Sequence, residues 1–505
     1  MALGDIMQDT TPQDSGKQPF AGRADSGQHP QPANAEGLFS GANAMYAAAL
    51  TGGVVLHAVN IFLTATVMPS VVADIGGLDV YAWATTLFVV ASILAAAMTA
   101  KLLRGFGPRG AYVVAALFFG CGTLIAALAP SMPVMLVGRA VQGVGGGFLY
   151  ALAYAVTRIV LPQHLWGRAV GLISATFGVA TLIGPAIGGI FAEYGAWRAA
   201  FWSLLPFVAL FVVLAGAKLP GKSATRGKAA PVAWLQLVLL AAAVLVVSAS
   251  SLSPDRLLNV AGLAMAILLT ALIGRAERGT GARLLPKGSF SLASPLGVVY
   301  LTIALLMMAM QPEIFVPYLL QTLHGQSPLL AGYFAALMAV GWTAGTAASV
   351  RLRRGDGGRL ILAGLLLVLV GTVLFGLFMP IKSDGALLVV IPVGAALFLM
   401  GFGIGMAWPC LVTRVYQYAP EAEQDVASGG MTTVQLFAGA LGTAAGGMSA
   451  NLAGFADPGG AVGAASAALW LGVGSAVAPA LAILLVLRIA HLSAGKVAGV
   501  RATAT

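Results

Sequence analysis

Apolar runs of about twenty residues follow one another almost to the C-terminus, and that feature governs everything else in this chain. A soluble core cannot bury so much apolar surface, whereas a bilayer can act as its solvent, provided each run satisfies its own backbone hydrogen bonds as a helix. Charged residues make up only 9% of the 505 residues, against roughly a quarter in ordinary globular chains. Together these patterns exclude a soluble enzyme, a collagen-like fibre and a largely disordered chain. The expected fold class is all-α: a polytopic membrane protein.

Fourteen runs reach the length a crossing helix needs, near 45–70, 81–100, 111–129, 133–157, 168–190, 198–217, 231–251, 257–275, 295–321, 329–350, 360–379, 387–413, 427–453 and 464–488. Residues 1–42, rich in Gln, Pro, Gly, Ser and Asp, read as a disordered cytoplasmic tail without a secretory signal pattern. Lys101, Arg104, Arg109, Arg158, Arg168, Lys218, Lys222, Arg226, Lys228, Arg275, Arg278, Arg283, Lys287, Arg351, Arg353, Arg354 and Arg359 fall in alternate loops. The other loops hold only Arg198, Arg256 and Lys382. By the positive-inside rule both termini are cytoplasmic in a multi-pass cell (inner) membrane protein.

Two short Arg/Gly-rich loops, AKLLRGFGPRG (100–110) and RLRRGDGGR (351–359), each follow the second span of a six-span set, which points to internal duplication. The organisation is then a six-helix bundle over 43–218, a linker with two extra spans over 219–288, a second six-helix bundle over 289–490 and a cytoplasmic tail over 491–505. Cys121 and Cys410 sit inside apolar runs, and the five histidines show no paired helical spacing. No metal, cofactor or disulfide framework is expected. The net charge of +10 serves orientation here and does not call for nucleic acid. GAKLPGKS (216–223) fits the phosphate-loop pattern but lacks the strand before it and the soluble domain that nucleotide chemistry requires.

Span 4 opens LVGRAVQGVGGGFLY (136–150), with Arg139, Gln142 and Gly146 on one helical face. A guanidinium stays charged, so Arg139 must face a wet cavity or a polar partner. Span 5 carries GVATLIGPAIGG (178–189), in which Gly184 and Gly188 permit close helix contact and Pro185 bends the helix between them. Followed by WRAAFW (197–202) and, later, by ASGGMTTVQLFAGALGTAAGG (427–447), these segments resemble the major facilitator superfamily, and specifically its fourteen-span drug:proton antiporter family. The resemblance covers about residues 55–455. It implies two pseudosymmetric six-helix bundles around a central cavity, alternating access, and a monomer. It also implies a conformational motif at Gly178, Gly184, Pro185, Gly188 and Gly189, and a gating loop at Arg104, Gly107 and Arg109. Asn60 stands where that family usually carries a span-1 acid, and Arg104 where it carries an acid in the loop.

Of the seventeen carboxylates, five lie in the N-terminal tail and the rest fall at span ends or in loops, except Glu313 in MMAMQPEIFVPYLLQ (307–321). Pro312 and Pro317 flank it and predict a broken helix. Glu313 and Arg139 are the expected proton-coupling pair; a vestibule or structural role for Glu313 stays open. Glu421, Glu423 and Asp425 read as a solvated loop. Candidate cavity residues are Asn60, Thr64, Gln142, Tyr150, Tyr318, Gln321, Trp342 and Gln435, the polar or aromatic members of otherwise apolar runs. The expected activity is secondary export of amphipathic small molecules, apolar or weakly cationic, in exchange for protons. An uncoupled or uptake-type carrier is the alternative, and a membrane enzyme or sensor a remote third.

Overall fold

The computed structural model describes residues 37–222, 232–279, 282–352 and 357–502, and within them all side chains save 425 and 488–502. The predicted tail before residue 37, the basic stretch holding Arg226 and Lys228, and Arg353 and Arg354 lie outside those residues. Everything regular is helical: α1 (Gly41–Ile75), α2 (Trp83–Ala127), α3 (Met132–Val160), α4 (Trp166–Glu193), α5 (Trp197–Trp202), α6 (Leu204–Lys218), α7 (Trp234–Ser250) and α8 (Arg256–Ala276). There follow α9 (Pro295–Ala309), α10 (Val316–His324), α11 (Pro328–Leu352), α12 (Gly358–Phe378), α13 (Leu387–Tyr418), α14 (Gln424–Leu452) and α15 (Gly460–Ala502).

Among the described residues, eleven helical segments are long and apolar enough to cross a bilayer. Three local features separate that count from the fourteen expected runs. Runs 2 and 3 are continuous in α2, which turns at Gly107, where φ is 69° and no side chain fits, because a Cβ would lie 2.5 Å from the Lys222 Cα. Run 7 is the 17-residue α7. Run 13 is the 29-residue α14, whose Thr, Ser, Gln and Gly residues dilute its hydropathy. Large apolar side chains on the periphery, such as Leu210, Val213, Val260 and Ile267, are about two-thirds exposed, as a lipid-facing belt requires.

Glycine pairs set the closest helix crossings. A Cβ at Gly143 or Gly147 would lie 2.3 or 2.2 Å from the Phe88 or Ser92 carbonyl oxygen, so α3 touches the α2 backbone. Gly341 and Gly345 of α11 meet Phe398 and Phe402 of α13 in the same way. The two Arg/Gly loops also correspond, since Gly357, like Gly107, has positive φ (73°). The α7–α8 hairpin lies between the halves, with Val90 of α2, Val244 of α7, Ala266 of α8 and Ala440 of α14 sharing one buried cluster.

Candidate functional site: a chamber between two helical halves

A cavity of about 1000 Å³ lies between the halves at the end of the bundle that carries Lys101, Arg158 and Arg283. Its walls come from α2, α3, α4, α7, α13 and α14, with Tyr150, Tyr154, Trp166 and Trp408 as aromatic surface and Thr432 and Gln435 as polar surface. Of the residues expected in a cavity, Tyr150 and Gln435 line it. Trp342 sits behind the wall, its ring 5.5 Å from that of Trp408.

The opposite end is shut by contacts between the halves. Tyr81, in the turn before α2, stacks on Phe315 at 5.6 Å and meets Phe455 at 5.8 Å, while Tyr318 lies 4.8 Å from Phe455. Ring pairs of this kind contribute about 0.5–1.5 kcal/mol each beyond their burial. Beside them α4 lies directly on α11. A Cβ at Gly189 would fall 2.5 Å from the Leu329 Cα, and one at Gly332 would fall 3.1 Å from the Pro185 Cβ. The Leu329 amide donates to the Glu193 carboxylate at 3.4 Å, and Asn451 Nδ2 donates to the Asp79 carbonyl at 2.8 Å. Tyr318 thus belongs to this seal, and Gln321, one turn further on α10, is half-buried.

The span-5 motif divides its labour. Gly184 and Gly188 press on α1, where a Cβ would come within 2.5 Å of the Phe62 Cβ or 2.9 Å of the Leu63 carbonyl oxygen. Gly189 presses on α11, in the other half. Gly178 has nothing within 4 Å. The loop expected to gate docks on the end of α6: the Arg109 amide donates to the Pro220 carbonyl at 3.0 Å, while Arg104 is exposed. The phosphate-loop look-alike is therefore a helix end followed by the segment that seats this loop, with Ser223 outside the described residues.

Arg139 is 2% exposed. Its Nε donates to the Ala84 carbonyl at 3.1 Å, its Nη1 donates to Gln142 Oε1, and its guanidinium stacks on Phe88 at 4.4 Å. Gln142 Nε2 donates onward to Thr123 Oγ1 at 2.8 Å. Gln142 therefore holds Arg139 and does not face the chamber. His57 also stacks on Phe88, at 5.4 Å, and on Tyr150, at 5.5 Å, so that a series of ring contacts joins Arg139 to the cavity wall. His57 Nδ1 is buried without a hydrogen-bond partner among the described residues, and Gly146 makes room for it. His57 was not among the expected site residues. Its signal in the sequence is an ionisable residue inside an apolar run, three positions before Asn60. Asn60 and Thr64 are fully buried in α1, the Thr64 hydroxyl donating to Asn60 Oδ1 at 3.5 Å.

Glu313 occupies the 3-10 turn Gln311–Phe315 between α9 and α10, the break that Pro312 and Pro317 predict. It is half-buried, and no hydrogen bond or ion pair holds its carboxylate among the described residues. Apart from the stacking of Phe315 on Tyr81, the turn packs chiefly on α9, α10, α11, α14 and α15 of the C-terminal half, whereas the partners of Arg139 belong to α2 and α3. The structure does not bring the two together, and Glu313 is not in the chamber wall.

Two ion pairs escaped the sequence reading. Arg198 of WRAAFW donates to Asp74 at 2.5 Å and to the Ala129 carbonyl at 2.9 Å, tying the ends of α1, α2 and α5. Glu423 is no freely solvated acid: it accepts from Arg283 Nη2 at 2.6 Å and from the Lys287 amide at 2.7 Å. The Lys287 amide, aided by Arg283, holds the Glu423 carboxyl below the usual range.

The family model described as Major Facilitator Superfamily matches residues 50–443. A relative named as a probable multidrug-efflux transporter of Mycobacterium tuberculosis is 38% identical over 412 residues, 80% of this chain and 87% of its own. Multidrug resistance protein 3 of Bacillus subtilis is 30% identical over 158 residues, 31% of each chain. A solved POT peptide transporter in complex with alafosfalin superposes with a TM-score of 0.67 at 14% identity, covering 90% of this chain and 97% of its own. That level of identity carries the fold alone. With a chamber between two helical halves and a family match over most of its length, the chain belongs to the Major Facilitator Superfamily and is a membrane transporter, not an enzyme.

Proposed function

We propose that this protein exports amphipathic small molecules, drug-like compounds or a secreted metabolite, by alternating access in exchange for protons. The observation that carries the reading is the pairing of a chamber of about 1000 Å³ at one end with direct contacts between the halves at the other. Such a protein presents the same site to the opposite side by parting the Gly189–Leu329 contact together with the Tyr81 ring contacts and closing the chamber mouth. In this reading the protein is a fourteen-span antiporter of the drug:proton type. It has six-helix bundles over 43–218 and 289–490 flanking the inserted 219–288, and it acts as a monomer. The basic end and both termini face the cytoplasm.

Glu313 is the proton carrier and Arg139 the fixed charge that biases the N-terminal half. In proteoliposomes, Glu313→Gln abolishes transport driven by a pH gradient; unchanged transport removes Glu313 from the mechanism. A carrier without proton coupling is the second reading. It is favoured by the buried amide of Asn60, where the resembling family has an acid, and by the place of Glu313 outside the chamber wall. Collapsing the proton gradient separates the two, since an uncoupled carrier continues to equilibrate its substrate.

A further inference from the structure

The described charges in the chamber wall are of one sign. Among its described lining residues Arg158 and Arg283 are the ionised groups, and no carboxylate is present. Arg158 is exposed, with its guanidinium 5.8 Å from the ring of Trp166, so its charge sits at the edge of an aromatic wall. Arg283 is held by Glu423 through Nη2, and its Nη1 is buried with no hydrogen-bond partner among the described residues. Glu423 itself lies behind the wall and is already shared with the Lys287 amide. Guanidinium groups beside aromatic surface match a planar acid group on an apolar body. The same arrangement opposes an organic cation, which would find like charge and no carboxylate among the described wall residues.

We propose that the chamber selects amphipathic organic anions, an aromatic or polycyclic body bearing a carboxylate or sulfonate, over organic cations. Arg158 and Arg283 receive the acid group, and Tyr150, Tyr154, Trp166 and Trp408 receive the body. The preference reverses the weakly cationic cargo that the aromatic and amide content of the sequence suggests. It rests on the transporter reading above and adds the substrate class. Arg158 also draws the anion toward the mouth before binding, an attraction that salt weakens.

The test uses the full chain in nanodiscs and three dyes: anilinonaphthalene sulfonate, phenylnaphthylamine (the same body without the sulfonate) and ethidium. Equilibrium dialysis, with empty nanodiscs subtracted, gives each affinity. The sulfonate binds about tenfold tighter than ethidium at low salt, and the gap narrows as salt rises. Arg158→Gln, an exposed position that leaves the fold intact, weakens the sulfonate about fivefold and leaves phenylnaphthylamine within about twofold. Arg283→Gln weakens the sulfonate further. If ethidium binds as tightly as the sulfonate while Tyr150→Ala weakens all three, the chamber is the binding site but the anion preference is wrong. If Tyr150→Ala changes none of them, the chamber is not the binding site, and the export reading built on the chamber fails together with the preference.

Discussion

Gly189→Ala is a perturbation whose effect can be worked from the contact between α4 and α11. The new methyl would sit 2.5 Å from the Leu329 Cα, 2.9 Å from its Cδ1 and 3.0 Å from its Cβ. Carbon atoms rest about 3.5–4.0 Å apart, so α4 and α11 must separate by roughly 1 Å. No rotamer relieves an overlap with backbone. Overpacking of this kind costs about 1–3 kcal/mol, and here it falls only on the state in which the halves touch at this end. The equilibrium therefore shifts toward the alternative state by about 5–150-fold. Gly178→Ala, in the same motif with nothing within 4 Å, serves as the control. Gly184→Ala and Gly188→Ala strike α1 within their own half, so they lower stability without the same bias. Spin labels at exposed Tyr194 and Leu388, in a background lacking Cys121 and Cys410, report the separation. Gly189→Ala should enlarge the long-distance population and Gly178→Ala should not. Identical distributions for both variants refute the assignment of Gly189 to the seal.

Arg139→Lys keeps the charge but loses the planar fork that spans Ala84, Gln142 and the Phe88 face, so transport in an efflux-deficient host falls about tenfold or more while the protein still folds. Gly146→Ala places a methyl 2.7 Å from His57 Nδ1 and 3.2 Å from the Phe88 Cζ; displacing the stack lowers the thermal midpoint by an amount equivalent to about 1–3 kcal/mol, whereas a midpoint unchanged from wild type contradicts the stack. The Glu423 contacts make the loop at 283–289 sensitive to acid. Because the folded-state carboxyl is held below its ordinary value, its stabilisation is complete above about pH 4.3 and is lost as pH falls through the lower folded value. Hydrogen exchange at Lys287 should accelerate over that acid range in wild type and show no such step in Glu423→Gln.

Much of this architecture is legible from hydropathy alone, since each expected apolar run falls on a helix. The face shared by Arg139 and Gln142 is also legible, because both lie on one helix at a fixed spacing. What the sequence hides are partners brought together across helices. Arg139 meets Ala84, Arg198 meets Asp74, and Glu423 meets Arg283 over 55, 124 and 140 residues, and no periodicity encodes such pairings. The different tasks of Gly178, Gly184 and Gly189 are equally hidden, because a motif gives spacing but not the neighbour each glycine faces. Gln142 and Tyr318 show the same limit: a polar or aromatic residue in a span signals a partner without saying whether that partner is the chamber, an arginine or a seal.

Alternating access in this protein requires one chamber, open at the basic end and shut at the other, whose two ends exchange those roles. A cysteine at Thr432, in the chamber wall, in the background lacking Cys121 and Cys410, can be probed with a membrane-impermeant thiol reagent applied from either side. Labelling should come from the cytoplasmic side at rest, and from the outer side only when Gly189→Ala is added. Equal labelling from both sides at rest, or from neither, would rule out a chamber that opens to one side at a time.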